Sequence, residues 1–283
     1  MNKYPTPKNV IGIFVYLLAI SLVIGIPLRL INKHTIQFDE AFIELFSYLV
    51  SSAIVAVHYL KKKKQINQEN YYLRKESVSI SFWALILGVM TLMIIIVTPL
   101  LNLIPVPDWF LKIMKEVISD DRYSFLSVVI VAPIFEELIM RGVILDGFLK
   151  RYNPQKAILY SSIIFGLIHL NPWQFIDAFI GGLYIGWIYY RTRSIIPCIA
   201  IHVFNNLVAF SMFLLPEENI LMNNPVVENK FLYILFILLT GVLFYFGIRR
   251  LDNKLEIKPA ETDDKQLIVC VSLNQEVDAS RSK

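Results

Sequence analysis

Charge is scarce in this chain, and cysteine is scarcer. Only 18% of the 283 residues are Asp, Glu, Lys or Arg, against 56% hydrophobic residues and a mean hydropathy of +0.56. That balance excludes a soluble globular domain of this size. The two cysteines, Cys198 inside an apolar run and Cys270 in a polar stretch, form neither a disulfide framework nor a metal-ligand cluster, and they leave the redox compartment unread. A Gly-rich phosphate loop, an HExxH helix, an internal repeat and a second domain are all missing. The final SRSK reads as no lipidation box. The net charge of +4 and pI near 8.9 do not point to nucleic acid, because the basic residues gather at the ends of apolar runs, where membrane topology puts them.

The pattern that is present is a series of long apolar runs. The first, residues 9–31, is too long for a signal-peptide core and has no small-x-small cleavage site after it, so it reads as an uncleaved helix. The second, 41–60, stops at Lys61, Lys62, Lys63 and Lys64, the strongest topological marker in the chain and one that belongs in the cytoplasm. After a polar, basic connection over 65–79 comes a third run, 80–104, and then VPDWFLKIMKEVISDD, which reads as an interfacial helix on the far side. Further runs follow at 124–149, 156–171, 173–190, 195–215 and 230–248. Lys150, Arg151, Arg191, Arg193, Arg249, Arg250 and Lys254 close them on one side, and Glu217, Glu218 and Glu228 lie in the loop between the last two. The expected architecture is an all-α, polytopic transmembrane bundle of about eight spans with both termini cytoplasmic. Beyond Leu251 the chain turns polar apart from LIVCVSL, residues 267–273, which reads as a short strand-like patch in an otherwise disordered tail.

One run is interrupted by charge. In APIFEELIMRGVIL, residues 132–145, Glu136, Glu137 and Arg141 lie in the middle of a spanning segment. Each ionised group at a bilayer centre costs at least about 2.5–3.5 kcal/mol on insertion scales, so such groups face the bundle interior and find partners there. Glu137 and Arg141, at i and i+4, share a face and can pair, while Glu136 is turned about 100° away with no local counter-charge. That makes Glu136 the candidate general base.

Two later runs carry the remaining polar residues. FGLIHL sets Phe165 and His169 at i and i+4, and HVFNNL does the same for His202 and Asn206. At about 1.5 Å per residue, Glu136 and His169 each lie ~20 Å along their runs and Asn206 ~16 Å, with His202 one turn closer to the cytoplasm. These depths agree as one layer near mid-membrane, open toward the cytoplasm. The set suits hydrolysis: Glu136 with His169 can polarise a water, and His202 with Asn206 can donate to an oxyanion. Phe165 reads as packing. No Ser or Cys nucleophile accompanies them. No cofactor is favoured; a zinc ion would take Glu136, His169 and His202 as its ligands, although Asn206 is a poor zinc ligand.

EELIMR (136–141), FGLIH (165–169) and HVFNN (202–206) resemble the EExxxR, FxxxH and HxxxN motifs of the CPBP family, the type II CAAX prenyl endopeptidases and bacteriocin-processing intramembrane proteases. GGLYIGWIYYRTRSI, residues 181–195, also resembles the family's stretch before the third motif, and no motif position departs from the pattern. The resemblance implies a protease core over 122–210. It is flanked by N-terminal helices and the interfacial segment over 1–121, a last helical region over 211–250 and a polar cytoplasmic tail over 251–283. It implies a glutamate-dependent endopeptidase of the CAAX prenyl protease 2 type. Glu136 and His169 activate water in such an enzyme, His202 and Asn206 stabilise the oxyanion, and Glu137, Arg141 and Phe165 support them.

The expected function is therefore hydrolysis of a membrane-associated peptide, prenylated or a leader, pheromone or bacteriocin precursor, by a multi-pass protein of a bacterial cell membrane. The expected partners are the lipid bilayer and that peptide or protein substrate. The alternative is a non-proteolytic immunity or scaffold protein. A proton-coupled carrier would also use intramembrane Glu and His, but neither an inverted repeat nor paired broken helices appear.

Overall fold

Prolines and capping side chains mark where the apolar runs begin. Thr6 forms a reciprocal capping box with Asn9 ahead of Pro7, and Asn153 and Asn171 each accept from the third residue on, ahead of Pro154 and Pro172. Proline at the first helical position loses no hydrogen bond and arrives with its φ already helical. Asn229 caps the last helix through the amides of Phe231 and Leu232.

The structure is a computed structural model describing residues 4–67, 79–101, 104–118, 122–215 and 229–255. Among these residues it is all-helical, with no strand. The helices are α1 (Pro7–Ile31), α2 (Glu40–Asn67), α3 (Ile80–Leu101), α4 (Asp108–Val117), α5 (122–149), α6 (Pro154–Leu167), α7 (Pro172–Thr192), α8 (Ile195–Leu214) and α9 (Lys230–Lys254). Five of them, α1, α2, α3, α8 and α9, are long and apolar enough to cross a membrane. The chain is a multi-pass integral membrane protein. The expected strand-like patch at 267–273, most of the 65–79 connection and Glu217, Glu218 and Glu228 lie outside the described residues.

Helix α5 is the hub. It contacts α2, α6, α7 and α8, while α1 packs on α2 and α9 packs on α3 at the periphery. The exposed apolar side chains of α1 and α9, such as Ile11, Val15, Leu18, Leu238 and Phe246, are what lipid covers in a spanning bundle. Buried Val143, Ile144, Leu145 and Phe148 of α5 meet Ile185 and Ile188 of α7 and Ile201 of α8 in the core.

Two features differ from the sequence expectation. Helix α2 does not stop at the tetralysine but continues through it to Asn67, which turns one of the four lysines inward. Lys63 is 2% exposed; its Nζ lies 2.6 Å from Asp146 Oδ2 and donates to the Gly142 carbonyl at 2.8 Å. The second is α6, expected over 156–171. It has only 14 residues, about 21 Å of helix. A left-handed Leu170, φ 57°, then turns the chain into α7.

Candidate active site

Helix α5 is not a uniform α-helix. It passes through π-helical turns at Leu126–Val131 and Met140–Leu145, on either side of the α-helical Ala132–Ile139 that carries both glutamates. In the first π turn the Ala132 N–H bonds the Ser127 carbonyl, five residues back. The next such bond would run from residue 133 to Val128, but residue 133 is proline and has no N–H. Asn206 of α8 supplies the missing donor: its Nδ2 reaches the Val128 carbonyl at 2.9 Å.

Glu137 is fully buried and its Oε1 accepts twice, from Arg141 Nη1 at 2.7 Å and from His202 Nδ1 at 2.8 Å. Arg141, 1% exposed, also donates to the Gly182 carbonyl at 3.3 Å and lies over the Phe165 ring, 4.9 Å from its centroid. Glu137 Oε2 and Arg141 Nε are buried without a partner among the described residues, so the pair has one bond rather than two. His202 thus joins the two glutamates. Its Nδ1 meets Glu137, and its Nε2 lies 3.9 Å from Glu136 Oε2.

Glu136 is the more open carboxylate. Its side chain is 26% exposed, less desolvated than the sequence suggested, and Tyr48 of α2 faces it beside Ser52. His169 stands at the end of α6, where its Nδ1 lies 2.9 Å from the Phe165 carbonyl. A carbonyl only accepts, so in the neutral ring Nδ1 carries the proton and Nε2 is left with its lone pair. The Phe165 ring packs edge-on against His169 at 5.4 Å and against His202 at 5.6 Å. Phe165 is thus the wall both histidines share.

The structure therefore brings Glu136, Glu137, Arg141, Phe165 and His202 into one cluster, with His169 against Phe165. Asn206 is anchored to the same helix α5 through Val128. Among the described residues no group of three or more His, Cys, Asp or Glu is gathered to hold a metal. The 3.9 Å between His202 Nε2 and Glu136 Oε2 is wider than the ~3.3 Å edge of a tetrahedral zinc set with bonds of about 2.0–2.1 Å. Glu136 and His202 are therefore not drawn to that spacing here, and none of the roles proposed for these residues passes through zinc.

Sequence reading passed over Asp177 of α7. It is half-buried, takes a long 3.5 Å contact from Asn205 Nδ2, and lies near both His202 and His169. The signal was present, since a carboxylate within the apolar run 173–190 calls for the same question as Glu136. At the same end of α7, Trp173 donates to the Pro105 carbonyl at 3.1 Å and stacks with Phe110 of the amphipathic α4, centroids 4.7 Å apart.

Residues 119–208 match the family described as type II CAAX prenyl endopeptidase Rce1-like. Over 92 residues the chain is 34% identical to a Bacillus subtilis (strain 168) protein named "Putative membrane peptidase YdiL". That match takes in 32% of this chain and spans 38% of the relative's length. No solved structure matches the chain. The matched stretch runs from the start of α5 into α8 and contains every motif residue of the cluster. Across residues 119–208, this membrane protein is similar to the type II CAAX prenyl endopeptidase Rce1-like family.

Proposed function

We propose that the protein is an intramembrane endopeptidase that hydrolyses a membrane-associated peptide with water activated by Glu136 and His169. The observation that carries this reading is His202 held at 2.8 Å from Glu137 with its other nitrogen 3.9 Å from Glu136. Such an imidazole is fixed in direction, next to a carboxylate with room to move. Buried polar groups in a spanning helix are costly unless satisfied, and this arrangement satisfies most of them while leaving Glu136 accessible.

The step follows from those positions. Water gives a proton to Glu136, with the His169 Nε2 lone pair orienting the attacking oxygen, and the oxygen bonds to the scissile carbonyl carbon. The carbonyl oxygen becomes an oxyanion facing the His202 Nε2 proton and the second amide proton of Asn206. Glu136 then returns its proton to the nitrogen as the C–N bond breaks, releasing an amine and a carboxylic acid that keeps the second water proton. For His202 to donate from Nε2 as well as Nδ1 it must be an imidazolium, and the cluster supports that charge: Glu136 and Glu137 balance Arg141 and His202. Substrate enters from the cytoplasmic side or laterally between helices.

A second reading, a non-proteolytic immunity or scaffold protein, is favoured by the Asn206 bond to Val128, which is interhelical glue whether or not chemistry occurs. The deciding experiment is purified protein in detergent against quenched peptides, prenylated and unprenylated, comparing wild type with Glu136→Gln and His169→Ala, each with and without chelator. Cleavage that both substitutions abolish and chelation spares is the expected result. Folded wild type that cuts nothing, together with Glu136→Gln retaining full cellular function, would establish the scaffold reading instead.

A further inference from the structure

Asp177 is a carboxylate in an intramembrane helix that no Lys or Arg balances among the described residues, and the one charge of a protonated His202 is already met by Glu137. The groups that act on it are Asn205, His202 and His169, and neither Lys nor Arg is among them. Among the described residues its one hydrogen-bond contact, from Asn205 Nδ2, is long at 3.5 Å. Two other acidic groups of the bundle interior are different: Glu137 has Arg141, and Asp146 has Lys63, Lys150 and Arg193. An unpaired carboxylate in such surroundings is costly, and it is retained where a ligand brings the counter-charge.

Space lies beside it. Gly181 is one helical turn further along α7, on the Asp177 face. It is buried, yet a β-carbon placed on it meets no atom within 4 Å. The next residue, Gly182, is different, since a β-carbon there comes within 3.2 Å of Ser162. Helix α7 therefore packs tightly against α6 through Gly182 and leaves room at Gly181, next to the carboxylate and the two site histidines.

We infer that Asp177 and the open space at Gly181 form a subsite for a positively charged side chain of the peptide substrate, a Lys or Arg close to the scissile bond. The inference rests on the protease reading for its substrate, but its geometry concerns binding alone. The cationic head meets Asp177, and the aliphatic stem of Lys or Arg fills the apolar room along α7, as these side chains do wherever charge and apolar surface adjoin.

The test is a binding measurement that does not depend on cleavage. Full-length protein carrying Glu136→Gln, in detergent, is titrated with fluorescent apolar peptides identical except for a single Lys, Gln or Glu scanned through the central positions. At one position the Lys peptide is expected to bind at least tenfold more tightly than the Gln peptide, with the Glu peptide weakest. Adding Asp177→Asn, nearly identical in shape, brings Lys and Gln within about twofold, and Asp177→Lys makes the Glu peptide the preferred one. Gly181→Leu weakens all three peptides at an unchanged melting temperature, because it fills the space without touching the carboxylate. Equal binding of the Lys and Gln peptides at every position, or a Lys preference that survives Asp177→Asn, overturns the subsite. Wild type that binds the Lys peptide through Asp177 and never cuts it leaves the subsite standing and removes the protease reading.

Discussion

Asn206 Nδ2 donates at 2.9 Å to the carbonyl of Val128, which Pro133 leaves without its helical partner. A residue proposed to stabilise an oxyanion therefore also repairs the backbone of the helix that carries the glutamates. The two roles separate in a double-mutant cycle. Asn206→Ala is expected to cost about 1–3 kcal/mol of stability, the penalty of a buried carbonyl left unmade, and nearly all activity. Pro133→Ala returns an N–H to the helix, so the double variant should recover much of the melting temperature but none of the turnover. Recovery of both would remove Asn206 from the chemistry.

Among the described residues, Arg141 is the one cation on Glu137 besides the His202 ring, and it is buried with it. Removing one partner of a buried pair typically costs about 3–5 kcal/mol, because the other charge is left uncompensated. Arg141→Met should lower the detergent melting temperature sharply. Arg141→Lys should rescue it only in part, since an ammonium cannot serve Glu137 and the Gly182 carbonyl while lying flat on the Phe165 ring. Thermal unfolding of the three proteins side by side checks the order.

The lysine that α2 turns inward ties the second π turn of α5 to Asp146. Lys63→Met keeps the length of the side chain and loses both its 2.6 Å ion pair and its 2.8 Å bond to Gly142. Asp146 retains Lys150 and Arg193 as partners. The expected cost is about 2–3 kcal/mol, that of a charged hydrogen bond. Lys61→Met and Lys64→Met, both at exposed positions, should when tested in the same way change stability by less than about 0.5 kcal/mol, as ordinary surface substitutions do.

Gly166 separates Phe165 from the turn that carries His169. A β-carbon there would fall 2.8 Å from Phe175 Cδ2 and 2.9 Å from the Phe175 backbone oxygen. Backbone cannot rotate aside, so Gly166→Ala must push α6 and α7 apart. The expected result is a loss of about 1–3 kcal/mol of stability. A rise in KM and a fall in kcat should accompany it, because His169 and Asp177 lie on the two helices being separated. A steady-state series on this variant is the check.

The Glu137–Arg141 face was legible from local pattern, because i and i+4 spacing is fixed by the helix itself. Apolar runs likewise marked the helices to within a few residues, except at the far ends of α2 and α9 and in the shortness of α6. The two π turns in α5 left no periodic trace, and Pro133 alone hinted at one. Lys63 was grouped with its neighbours as a flank, because a run of four lysines looks the same whether the helix ends before it or passes through it. That His202 would bond Glu137 rather than lie free, and that Asn206 would reach Val128, depends on how α8 sits against α5. No spacing within either helix specifies that.

The 14 residues of α6 have a consequence of their own. At ~21 Å this helix is shorter than the ~30 Å hydrocarbon thickness, a hydrophobic mismatch of roughly 9 Å confined to one side of the bundle. Local thinning is one way a bilayer meets such a mismatch, and Trp173 and Trp109 pack beside this helix with ring centroids 6.5 Å apart. If the protein is the protease proposed, the dimple such thinning makes brings bulk water toward His169 and so supplies the second reactant of the hydrolysis. Lipid chain length then becomes a control on turnover: short-chain bilayers relax the dimple, and long-chain ones deepen its cost.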